Sequence, residues 1–174
     1  DEFNMGCRAR TVSFTQLYGG KITAALSRQH PRDLFDCKYM DISSFEDVKD
    51  GFMLCLLGSD KPIIESLQPN EIDQTDALGK QFEGMSDIAF SYEDYKQARL
   101  QLVKLVQEGM TKADKDFLLS FEEGCPDWSL CSAGDLSKYP SVQWKLLNIR
   151  NLKEHNIQKH EQGIKKLKDF LFPK

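Results

Sequence analysis

Along most of this chain the apolar residues recur at intervals of three and four positions, the pattern of helices with one buried face. The strongest example is residues 91–110, whose apolar face comprises Tyr92, Tyr95, Leu102, Val103, Val106 and Met110. Comparable spacing predicts helices at 15–29, 32–40, 43–57, 111–121, 140–152 and 154–172, with shorter or weaker ones at 61–70 and 71–85. Only residues 10–14 alternate with a period of two, which predicts a strand. We therefore expect a mainly α fold: a single helical domain of about eight helices with a short N-terminal strand.

Capping residues and a proline indicate where some of these helices begin. Thr111 with Asp114, and Ser43 with Glu46, have the spacing of capping boxes, in which each side chain bonds the other's backbone N–H. Pro31 suits the first turn of the second helix, because an N–H at that position would lack a helical partner in any case. These signals are local, so they predict helix ends and not how the helices pack.

Composition limits the class of protein and its compartment. The chain has 174 residues, of which 40% are hydrophobic and 29% charged, a composition typical of globular domains. No apolar run reaches the roughly 18 to 20 residues that cross a bilayer, and the N-terminus lacks the features of a signal peptide. Five cysteines without a C-x-x-C pair indicate reduced thiols, so we expect a cytoplasmic protein and no membrane partner. The first four residues, DEFN, look like a cloning remnant, which leaves 5–174 as the helical domain.

Charge is distributed unevenly along the chain. Residues 141–174 carry eight Lys and Arg against three Asp and Glu, although the whole chain has a net charge of −4. A basic helix on an acidic body could bind nucleic acid, and a solvated lysine-rich helix face is the simpler interpretation.

One stretch, LYGGKITAALSRQHPRDLFDCKYM, combines residues that could bind a nucleotide. Lys21 follows Gly19 and Gly20, which would place it in a first helical turn whose free N–H groups favour an anion. Asp33 and Asp36 lie three residues apart and face the same way on the next helix. A carboxylate pair near a phosphate-binding lysine is the outline of a metal–nucleotide site.

The same stretch also has purely structural interpretations. It is too short for a Walker P-loop, because the G-x-x-x-x-G-K-[ST] pattern is absent. Arg32 could pair with Asp36 at i, i+4, and Lys21 could simply be solvated. Arg28 shares one side of the first helix with Lys21, which would bring a second cation to a bound nucleotide.

The segment from Ser13 to Met40, with its lysine, short helix and R-D-x-x-D block, resembles the AbiEii/AbiGii toxin family. Members are nucleotidyltransferase-like proteins of bacterial toxin–antitoxin and abortive-infection systems. Three later stretches are also similar: FEGM, DKDFLLSFEEGCPDWSL and VQWKLLNI. The resemblance implies that Lys21 contacts a nucleoside triphosphate and that Asp36 or Asp33 belongs to the catalytic site, with Arg32 supporting the carboxylate. Nucleotide binding is thus expected of Lys21, Arg28 and Arg32.

The chain departs from the family pattern at the metal site. The family places a Gly-Ser signature and paired acidic residues in an N-terminal core, where they would hold Mg²⁺ against the triphosphate. The residues before Phe14 contain no such block, and the Gly-Ser in LGSDKP lies downstream of the lysine. We therefore expect the C-terminal portion of a family member, without a metal site of its own. Mg²⁺ and NTP are expected as cofactor and substrate of the full-length parent.

Two functions remain open at this point. In the first, the parent transfers a nucleoside monophosphate from an NTP to an acceptor such as tRNA, and this portion is inactive alone. In the second, the chain is a non-catalytic helical module or remnant that interacts with an antitoxin-like partner. A cognate antitoxin is the expected partner in either case, with tRNA contacted through the basic C-terminal helix.

Histidines and tryptophans offer weaker candidates. His155 and His160 are predicted to be surface residues, because their spacing and neighbours do not suit a metal site. His30 is expected to be a solvated linker residue, although it could contact a phosphate or base. For Trp128 and Trp144, a packed aromatic lid is favoured over a platform for base stacking.

Overall fold

The computed structural model describes residues 9–42 and 44–173 and confirms the mainly α prediction, with no strand in that part of the chain. These residues form nine α-helices: α1 Phe14–Arg28, α2 Pro31–Lys38, α3 Lys49–Leu57, α4 Ile63–Leu67, α5 Thr75–Ala77, α6 Tyr92–Gly109, α7 Lys112–Glu122, α8 Pro140–His155 and α9 Ile157–Leu171. A π-helical turn, Leu78–Phe82, follows α5, and 3-10 turns occupy Phe45–Asp47 and Trp128–Leu130.

The predicted N-terminal strand is wrong. Phe14 is the first residue of α1, and Ser13 caps that helix by accepting a hydrogen bond from the Gln16 N–H. Val12 and Phe14 remain about half exposed, at 54% and 51%. A lone strand needs a partner strand for its backbone groups, and this helical fold supplies none within the described residues. The proposed remnant at residues 1–4 lies outside the described part.

Helix caps follow the local sequence closely. Capping boxes form at Ser91–Asp94 and at Thr111–Asp114, the second as predicted. A third capping box, before α3, pairs Ser44 with Asp47. The predicted box of Ser43 with Glu46 stays a prediction. Ser43 itself is outside the described residues.

Two glycines allow α1 and α3 to touch backbone to backbone. A Cβ placed on Gly19 would lie closer than 3.0 Å to the main chain of Gly51 and Phe52. A Cβ on Gly51 would in turn collide with the backbone of Thr15. Both glycines are therefore required by helix packing, and the contact fixes the position of α1 relative to the core.

The core extends from this contact to the C-terminal helix. Leu167 and Leu171 of α9 are buried, and α9 packs against α4, α7 and α8. A buried ion pair joins the start of α3 to the start of α7. The Lys49 ammonium is 3.2 Å from the Asp114 carboxylate, and both side chains are at least 95% buried. Asp114 also caps α7, so the carboxylate has hydrogen-bond donors besides the lysine.

Two side chains are placed differently from the sequence prediction. His160 is buried, not on the surface, because its Nε2 bonds the Glu122 carbonyl at 2.8 Å. Trp144 is not part of a packed lid, since 65% of it is exposed on α8. Trp128 does pack as expected, against the rings of Phe117 and Phe121.

Candidate functional site

A tight turn between α1 and α2 brings the predicted residues together. Gln29 ends α1 in the left-handed region with φ of 51°, and its N–H bonds the Ala25 carbonyl. Its buried side chain is held by Arg99, which donates to Oε1 at 2.6 Å, and by the Asn70 carbonyl. Pro31 then opens α2 in a first turn, as predicted. The direction of α2 is thus set by interactions far along the chain.

The result is an ion pair between the two helices. The Lys21 Nζ atom lies 2.5 Å from Asp36 Oδ2, although the residues are 15 positions apart. The two side chains are 37% and 39% exposed, so solvent and ligands can reach them. We refer to these two residues as the Lys21–Asp36 pair.

Lys21 does not sit in a first helical turn. It is the eighth residue of α1, because that helix begins at Phe14. The N–H groups around it are already bonded within the helix, so they are not available to an anion. Gly19 precedes the lysine because of the contact with α3, not because of a phosphate-binding loop. Any anion at this place would be held by side chains alone.

The second carboxylate has a different partner. Asp33 accepts a hydrogen bond from Arg28 at 3.0 Å, and its side chain is only 12% exposed. Its Oδ2 atom is buried without a hydrogen-bond partner among the described residues. The predicted support of Asp36 by Arg32 is not observed, since the Arg32 side chain forms no salt bridge in residues 9–42 and 44–173.

Cys37 lies next to these charges. Burial, with added effects of Asp33 and Asp36, raises the pKa of its thiol to about 12, and Lys21 acts in the opposite direction. The thiol is therefore protonated at neutral pH and is not a nucleophile.

Further contacts hold α2 in place. The ring of Phe35 packs against those of Tyr39, Phe82 and Phe90, at centroid distances of 4.7, 5.1 and 5.4 Å. Lys38 bonds the Asp94 carboxylate at 2.7 Å, which keeps the pKa of Asp94 well below its usual range. His30 contacts the side chain of Gln81 at 3.0 Å and caps α2, so it is not free as a linker.

A divalent metal, which nucleotidyl transfer commonly uses, needs several oxygen or nitrogen ligands. Within the described residues no group of three or more His, Cys, Asp and Glu side chains could hold a metal ion. The residues of the Lys21–Asp36 pair and their neighbours therefore do not fit a metal centre by themselves.

A second group of polar residues was not predicted from the sequence. Lys145 is buried on α8, and its ammonium donates to the carbonyls of Leu56, Ser59 and Lys61 and to the Ser59 hydroxyl, at 2.6 to 3.2 Å. Burial lowers its pKa to about 8. The sequence signal was present, because Lys145 occupies a position on the apolar stripe of α8 that includes Val142, Leu146 and Ile149.

Glu122, at the end of α7, is close to this lysine. Burial raises the pKa of Glu122, while Lys145 and His160 act in the opposite direction. Its Oε2 atom is buried and has no hydrogen-bond partner in the described part of the chain. Both residues line a cavity of roughly 200 Å³ whose wall also includes Trp144.

Comparison with known proteins identifies the family. The model of the nucleotidyl transferase AbiEii toxin of Type IV toxin–antitoxin systems matches residues 1–147, which include both members of the Lys21–Asp36 pair. Neither the curated proteins nor the solved structures give a significant match. In the described residues no helix is both long enough and apolar enough to span a membrane. The chain belongs to the AbiEii family of nucleotidyl transferase toxins.

Proposed function

We propose that the Lys21–Asp36 pair forms the triphosphate-binding part of a nucleotidyl transfer site. The observation that carries this proposal is the 2.5 Å contact between two residues 15 positions apart on separate helices. A partly exposed ion pair of this kind adds little stability, typically about 0–1 kcal/mol, so stability alone gives a weak reason for it. Membership of a nucleotidyl transferase family supports the proposal that the pair has a chemical role.

The chemistry needs a positive charge where phosphate oxygens collect. In the transfer, an acceptor hydroxyl attacks the α-phosphorus of an NTP and gives up its proton to water as the new P–O bond forms. The bond from the α-phosphorus to the oxygen that bridges it to the β-phosphate breaks, and pyrophosphate leaves. The Lys21 ammonium would neutralise charge on the triphosphate, and Asp36 would hold the amine in position. Arg28 would add a second cation, because it lies two helical turns after Lys21 on α1 and its side chain is mostly exposed.

We propose further that the metal-binding half of the site comes from outside residues 9–42 and 44–173. A Mg²⁺ ion would supply charge neutralisation at the triphosphate, and its ligands are not grouped in the described residues. On this proposal the chain binds an NTP by itself but does not transfer a nucleoside monophosphate from it to an acceptor.

The acceptor we propose is an RNA such as tRNA. Support comes from four lysines on α9 that are exposed and form no salt bridge within the described residues: Lys159, Lys165, Lys166 and Lys168. Such a surface attracts phosphates, and its binding should weaken steeply with salt. An antitoxin, the counterpart of a toxin in these systems, is the proposed protein partner.

Equilibrium binding of each NTP with Mg²⁺, measured by isothermal titration calorimetry, tests the site. We expect binding that weakens at least about tenfold in Lys21→Ala and in Asp36→Ala, a loss of about 1.4 kcal/mol each. Lys104→Ala is the matched control, because Lys104 forms an exposed ion pair on α6 and should leave the affinity unchanged.

A transfer assay with labelled NTP and total tRNA completes the test. We expect no label on RNA from this chain alone. Label that disappears in Asp36→Ala would show that the site is complete and that the proposed missing half is wrong. Wild-type NTP affinity in both site variants would refute the role of the pair, and no NTP binding at all would favour the non-catalytic partner-binding module.

A further inference from the structure

We propose that the cavity beside Trp144 binds one unstacked nucleobase of a single-stranded RNA, with Trp144 as the stacking face and Glu122 as the acceptor of base N–H groups. We call it the Trp144 cavity. It lies between α8 and the turn that follows α3, and its walls include Asp60, Pro62, Glu122, Trp144, Asn148 and Leu152. The proposal rests on the proposed function in one respect, that the acceptor is RNA.

The first observation is the exposure of Trp144. Large aromatic side chains are normally buried, yet 65% of this one is accessible, at the mouth of a cavity. An indole face beside open space can stack with any base, because every base has a π-face. The cavity volume of roughly 200 Å³ suits one base and is too small for a helix or a run of side chains.

The second observation is the Glu122 carboxylate. Its Oε2 atom is buried and lacks a hydrogen-bond donor in the described part of the chain. An unpaired buried acceptor costs free energy, which a ligand with N–H groups would recover. Adenine, cytosine and guanine carry an exocyclic amine in the plane of the ring, whereas uracil offers a single ring N–H. A base with an exocyclic amine is therefore the preferred occupant.

The balance of charge favours a neutral base over a cationic side chain. Two carboxylates, Asp60 and Glu122, face two ammonium groups, those of Lys61 and Lys145. The Lys145 N–H groups are fully used by backbone and hydroxyl acceptors, and Lys61 donates to the Ser27 carbonyl. Lys145 therefore offers no donor to a ligand, and both ammonium groups would repel an arginine from a protein partner.

Lysines that can bind phosphates lie on the helix next to the one that carries Trp144. Helix α9 packs against α8, which carries Trp144. The exposed lysines of α9 have no internal salt-bridge partners among the described residues, so they can bind the phosphates of a strand whose base enters the cavity. Proteins that bind single-stranded nucleic acids combine cationic side chains, which contact the phosphates, with an aromatic side chain on which a base stacks.

Anisotropy of fluorescein-labelled pentanucleotides, with no NTP present, tests the proposal. We expect rA5 and rC5 to bind more tightly than rU5. Trp144→Ala should weaken all three about tenfold, which corresponds to about 1.4 kcal/mol. Glu122→Gln should weaken rA5 and rC5 about fivefold and leave rU5 within about twofold, because only the amine-bearing bases use the carboxylate. Leu100→Ala, which removes an equally exposed apolar side chain from α6, should have no effect.

Urea unfolding of each variant first confirms that it is folded. Unchanged affinity in Trp144→Ala, or an equal effect of Glu122→Gln on all three oligonucleotides, would overturn the proposal. It would also be overturned by binding of a labelled arginine-containing peptide that depends on Trp144 while the oligonucleotides do not bind. Lys21→Ala separates the two proposals, since it should weaken NTP binding at least about tenfold and leave oligonucleotide affinity within about twofold.

Discussion

Replacement of Gly19 by alanine should be one of the most damaging small changes in this protein. The added Cβ would lie 2.1 Å from the backbone nitrogen of Phe52, whereas ordinary contacts of a Cβ begin near 3.4 Å. The obstacle is main chain, which cannot rotate away, so α1 and α3 must separate by more than an ångström. Overpacking of this severity costs about 3 kcal/mol or more.

Gly20→Ala is the matched control, because it makes the same chemical change one position later. Its Cβ would meet only the Cys55 sulfur at 3.6 Å, an ordinary contact. Alanine is a better helix former than glycine, so this variant should gain about 0.5–1 kcal/mol. The two neighbouring substitutions should thus change stability in opposite directions.

Urea and thermal unfolding followed by circular dichroism measure the difference. For a chain of this size, 1 kcal/mol corresponds to about 2–4 °C, so Gly19→Ala should lower Tm by about 6–12 °C. A Gly19→Ala protein within about 1 kcal/mol of wild type would refute the backbone contact between α1 and α3. Equal destabilisation by both variants would show that the glycines serve some purpose other than packing.

Three further predictions concern buried polar groups. Lys49→Met should cost about 3–5 kcal/mol, because it leaves the buried charge of Asp114 without its ammonium partner. Lys80→Met breaks an exposed i, i+4 pair and should cost less than about 0.5 kcal/mol, and urea unfolding compares the two variants. Burial raises the pKa of Glu122, so its ionised form destabilises the native state as pH rises above the usual value of 4.5. Glu122→Gln should therefore raise the free energy of unfolding at pH 7 and lose that gain at pH 4, and an equal gain at both values would contradict the buried charge. The Cys37 thiol, with a pKa of about 12, should react with a disulfide reagent at neutral pH much more slowly than the exposed Cys125, as mass spectrometry of the modified native protein would show.

Local signals in the sequence predicted most of the helices. The capping box at Thr111 and the proline at position 31 act within one turn of the backbone, so they can be read from neighbouring residues. The strand at 10–14 failed because alternation over five residues does not supply a partner strand. Ser13 also offers a helix cap, and that local interaction prevails.

The site was predictable only in part, because its geometry depends on distant contacts. The sequence could indicate that Lys21 belongs with Asp33 or Asp36 but not with which, and the structure brings it into contact with Asp36. The sequence could not indicate that Gly19 serves the contact of α1 with α3, since that requires the position of Gly51 in space. The burial of Lys145 and the exposure of Trp144 are likewise set by which face of α8 meets the core.

Helix α9 has a practical consequence for how this protein is divided into parts. The family match ends at residue 147, in the middle of α8, whereas Leu167 and Leu171 of α9 are buried in the same core as α4 and α7. Expression boundaries drawn at the end of the match would cut α8 and leave the apolar surface beneath α9 open to water. Such a fragment should aggregate or be degraded in cells. Its inactivity in a screen would then result from the loss of α9 from the core and not from the absence of catalytic residues.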